Sequence, residues 1–215
     1  ADSLAMLEAK VDGEVSGADP AAVRSVILIV QTHLRDGEVD EARAYLDEVL
    51  ARSPDVPDLR LLDADLNALM GRTELAERGY RDLIADAPEN ETAVHKLASI
   101  LSASGRHAEA ATLLAAAIER MPGAVNLMGL RANMLERDGQ FDASIAALEE
   151  LYAQDSGNIY VDNNLASLLT AHGGTPESLE RASTIAKRLR GSNIPAFQDT
   201  YGWIEYRQGN YETAV

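Results

Sequence analysis

Glycines, prolines and small residues recur along this chain of 215 residues at one spacing, 34 residues. The glycines of the series are Gly37, Gly71, Gly105, Gly139 and Gly173, and small residues follow the first four at Ala42, Ala76, Ala110 and Ser144. The prolines are Pro20, Pro54, Pro88 and Pro122. Because three residue classes share one period, the sequence predicts an array of about five and a half repeats that bury apolar surface against their neighbours.

Each period predicts a helix, a turn, a second helix and a stop. Over Glu91–Ser104 the apolar residues fall at i, i+3, i+4 and i+7, which is the spacing of one helix face. Gly105 favours the left-handed conformation that ends a helix, and Arg106–Arg120 forms the second amphipathic helix. Pro122 stops it, since the residue before a proline is pushed out of the helical region. Val and Ile rarely alternate with polar residues, so the sequence predicts an all-α fold.

These features resemble the tetratricopeptide repeat (TPR) family, and within it bacterial members. The third repeat carries the family's pattern at Leu97-Ala98, Ala110, Leu114, Ala117 and Pro122, and the segment Thr200–Ala214 carries it at Tyr201-Gly202, Gly209, Tyr211 and Ala214. The resemblance implies a right-handed α–α superhelix, a TPR solenoid, over residues 23–215. Its repeats lie at about 23–56, 57–90, 91–124, 125–158 and 159–194, with a truncated one at 195–215. Residues 1–22 then form a partial repeat or a cap, with a helix over Ser3–Val15.

Three places depart from the family pattern. Asp63 and Arg131 stand where the pattern has Leu, which indicates either less buried helix faces or paired charges. In the fifth repeat nine residues separate Gly173 from the alanine of the second helix, against five in the earlier repeats. We expect that helix to begin about one turn early, with Thr175 as N-cap and Pro176 in its first turn, or a short loop to protrude.

No pattern typical of an enzyme or of a metal or cofactor site is present. The chain has no cysteine, and it has no GxSxG, GxxxxGK[ST] or GxGxxG motif. The four histidines lack metal-site spacing, and His33 is expected to pack between helices. Paired acids such as Glu149-Glu150 fit a solvated helix surface better than acid–base chemistry. We therefore expect a chain that is not an enzyme and that needs neither metal nor cofactor.

The acidic balance of the chain limits its partners. The formal net charge is −16 at pH 7, from 35 acidic against 19 basic residues. This charge repels nucleic acid and anionic membranes, so we expect a protein or peptide partner that is basic or neutral rather than acidic. Solubility is the simpler explanation of the same acidity.

In a TPR superhelix the first helix of each repeat lines a concave groove, and the phase of the repeat predicts which residues face it. In the C-terminal half these residues are Asn126, Asn133, Tyr160, Asn163, Asn164, Ser167, Trp203 and Tyr206. Amides can pair with the backbone of an extended peptide, and Tyr and Trp are frequent binding hot spots. We predict a non-catalytic scaffold that binds a peptide or a partner helix in this groove. The alternative is that the amides only cap and solvate helices and that Trp203 packs against a following helix.

Two other functions fit the same residues. Exposed Trp203 and Tyr211 predict association into a homo-oligomer or a self-assembling arm. Thr200–Val215 also resembles the last repeats of bacterial envelope-associated and polysaccharide-secretion proteins, which makes the chain the TPR region of a larger envelope protein or enzyme. No apolar run is long enough to cross a bilayer and no signal sequence opens the chain. The cytoplasm and the periplasm or cell envelope both fit, and a signal or anchor outside these residues is compatible with either.

Overall fold

Helices make up the regular structure of the computed structural model, which describes residues 15–214 together with Val11 and Gly13. Within these residues there are eleven helices and no strand, as the all-α prediction requires. The helices are α1 (Pro20–Arg35), α2 (Val39–Arg52), α3 (Pro57–Leu69), α4 (Thr73–Asp86), α5 (Glu91–Ala103), α6 (His107–Arg120), α7 (Val125–Arg137), α8 (Phe141–Gln154), α9 (Ile159–His172), α10 (Pro176–Ala186) and α11 (Pro195–Gln208). In this part of the chain no helix combines the length and apolarity needed to span a membrane. The helix predicted over Ser3–Val15 lies almost entirely outside the described residues.

The helices repeat with the period of the sequence. Second helices begin at Val39, Thr73, His107 and Phe141, and first helices begin at Pro57, Glu91, Val125 and Ile159. Both series advance by 34 residues. The glycines between the two helices have φ values of +82°, +72°, +76° and +73°, at Gly37, Gly71, Gly105 and Gly139. Only glycine adopts this left-handed region without strain, so the recurring glycine ends each first helix.

Each of the first three second helices stops two residues before the proline of its repeat. They end at Arg52, Asp86 and Arg120, and the residue that follows each has left the helical region, with ψ of +61°, +87° and +70°. That residue directly precedes the proline, whose ring excludes it from the helical region. The predicted unit of helix, turn, helix and stop is confirmed in these repeats.

The turn of the fifth repeat is shifted by one residue from the glycine series. α9 continues to His172, and Gly173 has a φ of −64°, while the left-handed φ of +73° belongs to Gly174. In the fifth repeat the glycine of the 34-residue series is therefore not the one that takes the left-handed turn. Gly173 is required for another reason: a Cβ there would lie 2.4 Å from the Cβ of Ser178. At this position the close approach of α10, rather than a left-handed backbone conformation, requires glycine.

The second helix of the fifth repeat begins early, as the insertion predicts. Thr175 Oγ1 accepts a hydrogen bond from the backbone N–H of Ser178 at 3.1 Å, and Pro176 is the first helical residue. Pro176 lies six residues before Ala182, whereas the earlier second helices begin three residues before their small residue. The insertion therefore extends α10 by nearly one turn at its N-terminus.

The described residues up to position 100 form one compact unit. In it α1 packs against α2 and α3, α2 packs against α3, and α3 packs against α4. Its fully buried side chains are largely aliphatic and include Ile29, Leu46 and Leu59. α3 and α4 approach so closely that a Cβ on Gly79 would lie 2.9 Å from the Cβ of Ala64. Ala42 and Ala76, the small residues of the period in this unit, are fully buried.

Ion pairing accounts for the charge at position 63. Arg43 Nη1 donates to Asp63 Oδ1 at 2.6 Å and Arg43 Nη2 donates to Asp47 Oδ1 at 2.5 Å. Asn67 Nδ2 adds a longer hydrogen bond to Asp63 at 3.3 Å. Asp63 is thus a paired charge, one of the two predicted explanations. His33 is largely buried as expected, with Nδ1 2.8 Å from Glu38 Oε2.

The described residues from position 101 onward form the second compact unit. Here α6 to α11 pack in succession, and α9 also contacts α11 directly. The core joins Met128, Leu148, Leu165, Ile185 and Phe197 in one apolar cluster. α9 and α11, the first helices of consecutive repeats, therefore lie side by side in this unit.

Candidate partner-binding surface

The eight predicted contact residues lie on α7, α9 and α11, the first helices of three consecutive repeats. Asn126, Asn133 and Ser167 are exposed, and the exposed fractions of Tyr160, Trp203 and Tyr206 are 63%, 49% and 52%. Asn163 and Asn164 are half-buried. All eight therefore reach the surface of this unit.

Trp203, Tyr206 and Tyr211 form an aromatic cluster at the end of the second unit. The rings of Trp203 and Tyr206 are stacked, with centroids 5.5 Å apart and planes inclined by 13°. Tyr211, 63% exposed, meets Tyr206 edge-on at 5.4 Å. The guanidinium carbon of Arg207 lies 5.8 Å from the centre of the Trp203 ring. Three large rings thus remain exposed side by side, an arrangement typical of association surfaces.

The backbone after α11 holds this cluster together. Gly209 has a φ of +84° and ends the helix, so that the chain turns back along it. The returning chain passes so close to α11 that a Cβ on Gly202 would lie 3.1 Å from the carbonyl oxygen of Ala214. This return places Tyr211 on Tyr206, and a cavity of about 570 Å³ opens beside the rings. Its walls are Gln198, Asp199, Gly202, Trp203, Tyr206 and Ala214.

Tyr211 is the aromatic contact that the phase of the first helices does not select. It lies beyond α11, in the turn at residues 210–214, where helical phase gives no direction. The glycine at 209, five residues before the small residue Ala214, is the sequence signal that the chain reverses here. The sequence identifies Tyr211 as exposed, but its contact with Tyr206 depends on that reversal.

The amides of α9 act as a pair rather than as two free groups. Asn163 Nδ2 donates to Asn164 Oδ1 at 3.2 Å, and Asn163 Oδ1 is buried and accepts no hydrogen bond from the described residues. One turn earlier Tyr160 meets Phe197 of α11 edge-on, at 5.4 Å. Tyr160 therefore connects α9 to α11 while most of its side chain remains exposed.

A buried carboxyl group, absent from the residues predicted from the sequence, lies beside the amide pair. Asp162 on α9 is fully buried, and neither carboxylate oxygen has a hydrogen bond within the described residues. Arg188 Nη1 is 3.2 Å from Asp162 Oδ2 and also donates to the Ser156 carbonyl oxygen. Burial raises the pKa of Asp162, Arg188 offsets part of the rise, and Asp155 adds to it. The 34-residue period contains the signal, because buried Val94 and Met128 occupy the equivalent positions.

Helix pairs that repeat every 34 residues and pack on their neighbours define the class of helix-hairpin repeat proteins. Two tetratricopeptide repeat models match residues 33–101 and 95–159. The chain belongs to the tetratricopeptide repeat family. Proteins of this family serve in general as protein-interaction scaffolds, and this chain has that general role.

Similar proteins place the chain among bacterial repeat proteins. Cellulose synthase 1 operon protein C of Komagataeibacter xylinus is 29% identical over 199 residues, which cover 91% of this chain but 14% of that protein. The chain therefore spans about one seventh of the length of this relative.

Solved structures share the fold at low sequence identity. The structure of PilF from Pseudomonas aeruginosa has a TM-score of 0.69 and 16% identity, covering 89% of this chain and 86% of that one. A tetratricopeptide repeat protein from Parabacteroides merdae has a TM-score of 0.62 and 18% identity, covering 92% of this chain and 76% of that one. PilW, described as a type IV pilus biogenesis factor, has a TM-score of 0.65 and 16% identity, covering 89% of this chain and 88% of that one. At these identities the likeness establishes the fold alone.

Proposed function

We propose that the exposed amide and aromatic residues of α7, α9 and α11 form the surface through which this scaffold binds an extended peptide or a partner helix. The aromatic cluster carries the proposal, because Trp203 and Tyr206 are about half exposed and border a cavity of about 570 Å³. Aromatic side chains that keep such exposure beside a cavity are typical anchors of protein–protein interfaces. We also propose that the chain is non-catalytic.

The chemistry of the surface favours a neutral or basic partner. Asn133 and Ser167 are uncharged, and Asp199 adds a carboxylate to the wall beside Trp203. Each hydrogen bond between a side-chain amide and a peptide backbone contributes about 0.5–1.5 kcal/mol net. The affinity therefore depends on burial of the aromatic rings, while the amides set orientation and register.

Peptide-display selection against the purified chain tests this surface. Selected peptides are measured against Trp203→Ala and against the double variant Asn133→Ala/Asn163→Ala. Leu75→Ala on α4 is the matched control, since it removes an exposed apolar residue, 45% exposed, from the other unit. We expect Trp203→Ala to weaken binding by about 2 kcal/mol, or roughly thirtyfold, and Leu75→Ala to leave it unchanged. Equal affinity for all variants would place the binding surface elsewhere.

Self-association is a second candidate function, and the same aromatic cluster favours it. Tyr211 and Tyr206 add to Trp203 a continuous exposed aromatic area, which two copies of the chain could bury against each other. Sedimentation velocity over a hundredfold range of concentration distinguishes the two candidates. A dimer that Trp203→Ala dissociates supports self-assembly. A monomer at all concentrations, in the full-length protein as well, excludes it.

A third candidate is that the repeats belong to a larger envelope or secretion protein. The supporting observations are the similarity to the cellulose synthase operon protein and the fold shared with PilW. On this proposal the chain resides in the periplasm or cell envelope. Fractionation of cells that express the full-length gene product tests it, and recovery of the protein in the cytoplasmic fraction alone would contradict an envelope location.

A further inference from the structure

A second cavity lies between α6 and α7, and it shares no residue with the candidate partner-binding surface. Its volume is about 330 Å³, at the lower end of the range for small-ligand sites, about 300–1,000 Å³. The wall combines apolar side chains, among them Ala111, Ala115 and Leu135, with five polar ones: His107, Thr112, Arg131, Asp138 and Gln140. We call it the Arg131 cavity.

The repeat itself explains why this space is open. Ala111, Arg131 and Ala115 each lie 68 residues, two periods, after Arg43, Asp63 and Asp47. At the earlier junction those three side chains form the ion-paired group in which Arg43 binds both acids at 2.6 and 2.5 Å. At the later junction the arginine has moved to the first helix, and the two α6 positions equivalent to Arg43 and Asp47 hold alanines. The space that the side chains of Arg43 and Asp47 fill at the earlier junction is therefore empty at the later one.

Within the described residues Arg131 has no acidic partner, whereas Arg43 at the earlier junction has two. Arg131 is half-buried, and no residue of the described chain forms an ion pair or hydrogen bond with its side chain. A partly desolvated guanidinium gains most from a carboxylate, which can accept two parallel hydrogen bonds from it. The acid among the lining residues, Asp138, faces His107 instead, with Oδ1 3.6 Å from Nδ1.

We propose that the Arg131 cavity binds a carboxylate attached to an apolar body. The guanidinium of Arg131 pairs with the carboxylate, as Arg43 pairs with Asp63 at the earlier junction. The apolar body occupies the space over Ala111 and Ala115, against Leu135. The negative field of the whole chain slows the approach of an anion but is screened by salt, whereas the contact with Arg131 is local.

Two sources supply this chemistry: a free aliphatic acid, and the terminal carboxylate of a peptide that ends in an apolar residue. The probes are hexanoate and N-acetyl-Ala-Ala-Leu with a free carboxylate, each paired with its neutral amide. Binding to the intact chain is followed by NMR titration of the amide signals of α6 and α7. We expect each carboxylate to bind at least about tenfold more tightly than its amide. Tighter binding of the peptide assigns a protein terminus, and tighter binding of hexanoate assigns a small metabolite.

Three variants give the proposal a direct test. Arg131→Gln removes the cation, and we expect it to weaken both carboxylates about tenfold or more. Ala111→Glu supplies an internal carboxylate at the position of Arg43, so it should keep the fold, block both probes and raise the midpoint of thermal unfolding. Arg137→Gln, an exposed arginine of the same helix outside the cavity, should bind like the unmodified chain. Equal binding of acids and amides, binding that survives Ala111→Glu, or no binding of either acid would overturn the proposal.

Discussion

Asp162 places an ionisable group where three earlier repeats bury an apolar side chain, at Val26, Val94 and Met128. Its carboxyl group is fully buried, and burial raises its pKa above that of the unfolded chain, about 3.9. A raised pKa means that the folded state holds the proton more tightly than the unfolded state does. The associated stability is therefore complete below the unfolded pKa and is lost as the pH rises through the folded pKa.

Replacement of Asp162 by Asn should stabilise the protein at neutral pH. The amide keeps the size of the side chain but cannot ionise, so the cost of burying a charge disappears, and Arg188, with 42% of its side chain exposed, can be hydrated. We expect a gain on the order of 1 kcal/mol at about pH 7 and a smaller gain at about pH 4, where Asp162 is increasingly protonated. Urea unfolding of both proteins across this pH range measures the difference.

Glu150→Gln is the matched control for this measurement. Glu150 is exposed on α8, so its replacement should show little of the pH-dependent gain expected for Asp162→Asn. If Asp162→Asn loses stability at neutral pH, the ion pair with Arg188 outweighs the cost of burial.

The candidate surface was predictable from sequence at the level of residues but not of contacts. Helical phase placed Trp203 and Tyr206 on one side of a helix, because residues three apart share a face. It could not place Tyr211, which reaches Tyr206 only after the chain reverses at Gly209. It also gave no account of Asn163, whose amide oxygen is buried, since hydrogen bonding between neighbouring side chains follows from rotamers rather than from spacing.

At the scale of helices, the N-cap of α10 offers a clean test of the altered fifth repeat. Thr175 Oγ1 accepts a hydrogen bond from Ser178 N–H, one of the backbone groups that lack a partner at a helix start. We expect Thr175→Ala to lower the free energy of unfolding by about 1 kcal/mol. Thr175→Ser keeps a capping hydroxyl, so it should retain most of the stability that the cap contributes. Circular dichroism during denaturant unfolding measures both.

Thr184→Ala on the same helix serves as the control. The hydroxyl of Thr184 donates to the Glu180 carbonyl within the helix, and Ala has the higher helix propensity. We expect no loss of stability from this change. Equal losses at positions 175 and 184 would show that the cap has no special role in holding α10.

Sequence was sufficient for the helices because their ends are chemically marked. Gly105 and Pro122 fix a turn and a stop by backbone sterics alone, and the structure places both where the period predicts them. The period does not distinguish Gly173 from Gly174, because two adjacent glycines can adopt the left-handed conformation equally well. The choice of Gly174 depends on the close packing of Ser178 against Gly173, a tertiary contact that spacing does not contain.

At the scale of the whole molecule, two electrostatic effects of salt oppose each other. Self-repulsion from a net charge of −16 destabilises the compact state, and salt weakens this repulsion. Salt also weakens exposed ion pairs such as Arg106–Glu109, with 41% and 43% of the side chains exposed. Such pairs contribute about 0–1 kcal/mol each. The better shielded Arg43, with 11% of its side chain exposed, is less sensitive to screening.

We therefore expect repulsion to dominate and the midpoint of thermal unfolding to rise between about 20 and about 200 mM NaCl, where the Debye length falls from about 20 to about 7 Å. The variant Glu48→Gln/Asp82→Asn/Glu119→Gln/Glu150→Gln removes four charges from exposed helix positions. It should unfold at a higher temperature than the unmodified chain in low salt and gain less from added salt. Differential scanning calorimetry of both proteins makes the comparison. A midpoint that falls with salt, or a salt dependence that the variant shares unchanged, would mean that ion pairs rather than net charge govern the stability of the array.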